Sequence, residues 1–146
     1  MNTTTEHINC WMMAGALGSG VSAILHLAVI AFGAPWYRFA GAGETMVQMV
    51  EAGRTLPHFI TLMISLVLFG WAAYAMAGAG WTLPLPGARW VLLLITTIYL
   101  VRGIGGFFIN AQASGRSQAF WLWSSSVCLL IGTVHAVGLR QVWQRL

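Results

Sequence analysis

Four long stretches of this 146-residue chain are nearly free of ionisable side chains, and that pattern restricts the fold more than any other. Residues 11–33, 57–80, 89–110 and 119–139 are each long enough, at about 1.5 Å per residue, to cross a hydrocarbon core of ~30 Å as a helix. None alternates apolar and polar residues with period two, so barrel strands are disfavoured. A helix also satisfies its backbone polar groups within one segment, as a bilayer demands. Charged residues make up only 7% of the chain, against roughly 25% in soluble domains. The expectation is an all-α membrane protein, a four-transmembrane-helix bundle forming one domain over residues 1–146.

Aromatic residues mark the span edges, as the headgroup region favours. Trp11 opens the first span and Trp36 and Tyr37 close it; Trp81 and Trp90 flank the second loop, and Trp121, Trp123 and Trp143 bracket the fourth span. Runs of small residues, such as those at 14–20 and Gly103-Ile104-Gly105-Gly106, are places where helices can approach closely. Glu6 and His7 precede the first span without Lys or Arg, so that span reads as an uncleaved helix. The first connection is too long for a simple turn. Within it Met46, Val47, Met49 and Val50 share one helical face and Glu44, Gln48 and Glu51 the other, which predicts a short interfacial helix at about 43–53 between spans one and two. Arg89, Arg140 and Arg145 balance Arg38, Arg54 and Arg116 across the membrane. The pairing of Arg140 with Arg145 at a span end favours both termini in the cytoplasm.

The sharpest internal feature is a polar layer in one half of the bilayer. Arg102 lies roughly 10 to 12 Å from the end of span three that faces the first connection, and His26 lies at a similar depth in span one. Thr61 and Ser65 enter the same level from span two, and Ser124, Ser125 and Ser126 from span four; His58, Glu44 and Glu51 stand above it, and His135 lies nearer the opposite face. An arginine within a span costs about 2.5 to 3.5 kcal/mol on insertion scales and turns toward the bundle interior or toward water. Two readings follow. Arg102 either snorkels to backbone carbonyls, or it holds an anionic group, a headgroup or Glu44 or Glu51 folded over the bundle. The candidate ligand-binding residues are Arg102, His26, Ser125, Ser65, His58 and Glu44.

Several chemistries find no support. The seven arginines are scattered, which disfavours nucleic-acid binding. Cys10 and Cys128 stand alone as packing residues, and neither zinc spacing nor another metal or cofactor set is visible. His26, His58 and His135 differ too much in depth to pair on a haem. The triple serine has no intramembrane carboxylate to orient a histidine, and the same lack argues against a proton or cation pump.

The stretch Gly33-Ala34-Pro35-Trp36-Tyr37-Arg38-Phe39-Ala40-Gly41-Ala42-Gly43-Glu44, with Tyr99-Leu100-Val101-Arg102-Gly103 later, resembles small bacterial four-span inner-membrane proteins. The resemblance implies a bacterial cytoplasmic membrane and carries no activity or catalytic motif. Small multidrug exporters of this size need an acid in the first span, where this chain has His26. Two functions remain in view. One is a non-enzymatic subunit or accessory of a larger membrane assembly, with lipids, other subunits or further copies of itself as partners. The other is binding or translocation of a small anionic or amphipathic molecule through the layer around Arg102 and His26.

Overall fold

The computed structural model describes residues 8–109 and 114–146, so Glu6, His7 and the expected end of span three at Asn110 lie outside the described residues. Among the described residues the chain forms six helices and no strand: α1 Cys10–Phe32, α2 Ala34–Phe39, α3 Glu44–Glu51, α4 Leu56–Ala79, α5 Ala88–Gly106 and α6 Gln118–Val142. Four of them, α1, α4, α5 and α6, are long and apolar enough to span a membrane. They form an all-α membrane bundle.

Local chemistry explains where each begins and stops. The Asn9 side chain accepts the Met12 amide at 2.8 Å and caps α1, and Ser117 accepts the Phe120 amide at 3.1 Å and caps α6. Pro57 sits in the first turn of α4, where its missing donor is not needed. Arg140 falls inside the last turn of α6, not beyond it, where a cation complements the carbonyl end of the helix.

The first connection holds two short helices where the amphipathic pattern predicts one. Gly33, at φ 72°, ends α1, and Pro35 then starts α2 at once. Gly41 and Gly43, both at positive φ, turn the chain into α3. The ring of Tyr37, 1% exposed, is the pin that docks this arm: its hydroxyl donates to Thr61 Oγ1 at 3.1 Å and shares a 3.1 Å hydrogen bond with His58 Nδ1. Arg38 ties the arm to itself, reaching Glu51 at 3.1 Å and Glu44 at 3.6 Å.

In the bundle α1 packs on α4 and α6, and α5 packs on α6 and α4, so α1 and α5 stand across the axis from each other. Glycine makes the close seams possible. A Cβ on Gly103 would lie 2.7 Å from the Leu129 amide nitrogen, and one on Gly138 would lie 2.7 Å from that of Met12. The axis is filled by Met12, Leu92, Ile95, Ser19, Tyr99 and His135, all buried. Ser19 Oγ and Tyr99 Oη, 3.0 Å apart, cross it and set the register of α1 against α5. Asn9 donates its amide to the Ala79 carbonyl at 2.9 Å and its side chain to Gln141 at 2.7 Å, which gathers the N-terminal end, the α4–α5 loop and the end of α6 on one face. The α2–α3 arm and the start of α6 share the other.

Candidate functional site

Arg102 sits one helical turn before the end of α5. Gly106 is four residues on and so on the same face, where its missing side chain opens a notch. A Cβ there would fall on Ser125 Oγ and come within 2.6 Å of Arg102 Nη1. Through that notch the guanidinium crosses to α6, donating from Nη2 to Ser124 Oγ at 2.9 Å and from Nη1 to Ser125 Oγ at 3.3 Å. Its Cζ lies over the indole of Trp121, 4.7 Å from the ring centre. Trp121 is held in turn by its Nε1–H, which donates to Ser114 Oγ at 2.7 Å.

A second guanidinium flanks the same ring. Arg116, just ahead of α6, stands 5.7 Å from the Trp121 ring centre and 5.0 Å from that of Phe120. Burial first, and the neighbouring charge of Arg102 second, pull Arg116 below the ordinary guanidinium range. Among the described residues Arg116 has neither a hydrogen bond nor an ion pair, and no carboxylate answers either arginine. Glu44 and Glu51 are occupied by Arg38, so the pairing of Arg102 with either acid, entertained from the sequence, is not made. The α2–α3 turn closes the corner from above: Gly41 lies against the Phe120 ring, and a Cβ on Gly43 would be 3.8 Å from Arg116 Cγ.

Of the six candidate residues the structure brings Arg102 and Ser125 into contact and leaves the others elsewhere. His26 donates from Nδ1 to the Ser22 carbonyl of its own helix at 2.7 Å. Ser65, fully buried, donates to the Ala23 carbonyl at 2.9 Å and fastens α4 to α1. His58 is engaged with Tyr37, and Glu44 with Arg38. Counted from the Ser19–Tyr99 bond, His26 stands seven residues along and Arg102 three, so their backbones differ in depth by about 6 Å. The guanidinium recovers that difference by reaching up to Ser124 and Ser125.

His135 is the buried histidine of the bundle. Its Nδ1 donates to the Ile131 carbonyl at 3.0 Å, its ring lies flat against Gly15 and 5.5 Å from the ring of Tyr99, and its Nε2 has no partner among the described residues. No group of three His, Cys, Asp or Glu that would hold a metal occurs among the described residues.

Arg116 and Trp121 are the site residues that sequence reasoning missed. The visible signal was the four-residue spacing of Arg102 and Gly106, which puts a notch directly above an intramembrane cation. Two clefts, of about 510 and 320 Å³, open on the outer, lipid-facing side of the bundle: one along α5 and α6 by Arg140 and Trp143, one along α4 by Met63 and Trp71. Comparison with family models, curated proteins and solved structures finds no match.

Proposed function

We propose that this chain is a non-enzymatic, membrane-integral binding protein for an anionic or amphipathic molecule, which it holds at Arg102. The observation that carries the reading is a guanidinium within the spanning region, braced by two serines and an indole, with both described glutamates engaged by Arg38. A structural arginine is more economically satisfied by backbone carbonyls or an acid, because a charge in a low-dielectric setting needs an opposite charge nearby. The filled bundle axis favours binding at this corner over passage through the centre. On the resemblance and the arginine pattern, the membrane is a bacterial inner membrane with both termini cytoplasmic.

Native mass spectrometry of the protein released gently from its own membranes tests this. A stoichiometric small anion or lipid on the parent, lost from Arg102→Ala, is expected; the same bound species on both overturns it. A second reading, a subunit or accessory of a larger assembly, is favoured by Gly70 and Gly105. Both face outward and meet nothing within 4 Å, although glycine weakens a helix interior. In the same spectra a defined foreign subunit, or a further copy of this chain, supports that reading.

A further inference from the structure

We infer that Arg102 and Arg116, which stand 4.7 and 5.7 Å from the Trp121 ring centre, form a two-guanidinium clamp for a phosphate monoester group at the membrane surface. The inference rests on the binding role proposed above for Arg102 and names both the second arm and the ligand chemistry.

Charge comes first. Two guanidiniums share one aromatic ring while the two described acids, Glu44 and Glu51, both engage Arg38. The corner also stands at the beginning of α6, a 25-residue helix whose N-terminal end carries roughly half a positive charge. Three positive contributions thus converge where the protein supplies no opposite charge among the described residues. Burial and the neighbouring charge of Arg102 both disfavour the Arg116 cation, and no anion among the described residues offsets them.

Geometry narrows the ligand. Each guanidinium is a planar fork suited to two oxygens of one group, and the two serine bonds and the Trp121 contact hold that of Arg102 in place. Two forks and two charges match a dianionic monoester with three terminal oxygens better than a carboxylate with two oxygens and one charge. Depth agrees as well. Arg102 lies one turn inside the end of α5 and Arg116 just ahead of α6, so both stand near the level where the hydrocarbon core gives way to headgroups. A monoester lipid headgroup and a free phosphate share this chemistry.

The test uses the full chain in phosphatidylcholine nanodiscs, titrated with phosphatidic acid, with oleate as a carboxylate amphiphile, and with inorganic phosphate. Bound stoichiometry is read by native mass spectrometry and thermal stability is followed in parallel. Phosphatidic acid is expected to bind one to one and to outcompete oleate. Arg116→Gln and Arg102→Gln should each weaken it by roughly tenfold or more, as loss of a charge-assisted contact does. Arg116→Lys, which keeps the charge but not the fork, should fall between. Each variant is first shown to melt no lower than the parent without ligand, so lost binding is not lost folding. Saturation by inorganic phosphate alone assigns the clamp to free phosphate, and response to the lipid alone assigns it to a headgroup; either supports it. If Arg102→Gln abolishes binding while Arg116→Gln leaves it unchanged, or if oleate binds as well as phosphatidic acid, the clamp is overturned and the Arg102 reading survives. If neither substitution matters, both fall.

Discussion

The two ends of α6 each carry an arginine laid over a tryptophan, and they behave as opposites. At the C-terminal end Arg89 sits 5.0 Å from the Trp143 ring and donates from Nη2 to the Trp143 carbonyl at 2.9 Å. At the N-terminal end Arg102 sits 4.7 Å from the Trp121 ring and finds only serine hydroxyls, with Arg116 beside it. The residue pair is the same and the distances are close; the helix polarity is reversed. Carbonyls crowd the C-terminal end and give a cation partial negative charge, whereas the N-terminal end presents amides and adds positive charge. Arg89 is therefore a clasp that completes the fold, and Arg102 is a cation that the fold leaves looking for an anion.

The contrast can be broken most forcefully through the seam that builds the N-terminal corner. Gly103→Ala forces its Cβ against the Leu129 backbone and should cost about 2 to 3 kcal/mol in detergent unfolding. Gly105→Ala, two residues away in open space, should be neutral or add about 0.5 kcal/mol. Equal losses at both would show that α5 and α6 do not approach as described. Next in size, Arg89→Ala should lower stability by about 1.5 to 3 kcal/mol, since it removes a charged hydrogen bond. Arg102→Ala, measured without added anion, gives up two serine bonds but also removes an uncompensated charge from the spanning region, and should cost less than Arg89→Ala. A matching loss at Arg102 would mean that it too is a clasp. The smallest effect belongs to Arg38→Ala. Its ion pairs are solvent-exposed, so the substitution should change stability by no more than ~1 kcal/mol, with the effect smaller still in salt.

How the site was legible follows from the same residues. The level shared by Arg102 and Ser125 could be counted along the chain because helical rise is fixed, and the two do meet. Ser65 was counted to that level as well, yet it faces α1 and bonds the Ala23 carbonyl. His26 stands on the helix across the axis from α5. Depth is a one-dimensional property, whereas azimuth is not. In a soluble bundle the apolar stripe would reveal which way each helix turns, but here lipid-facing and buried faces are alike apolar, so that signal is faint. Residues 34–39 were hidden for another reason: a six-residue helix shows too little periodicity, and only Gly33 followed by Pro35 hinted at it.

By itself, then, the sequence determined that the chain crosses a bilayer with four helices, where they begin and end to within a few residues, and that an arginine lies inside one of them. Those properties depend on the local balance between burying a backbone in hydrocarbon and exposing a charge to it. Only the tertiary structure decided that Arg102 passes through the Gly106 notch onto Trp121, that Arg116 joins it, and that both acids of the arm are taken by Arg38. These partnerships depend on how four nearly uniform apolar cylinders rotate and pair. That choice is made by glycine seams and a few crossing hydrogen bonds between residues far apart in the chain.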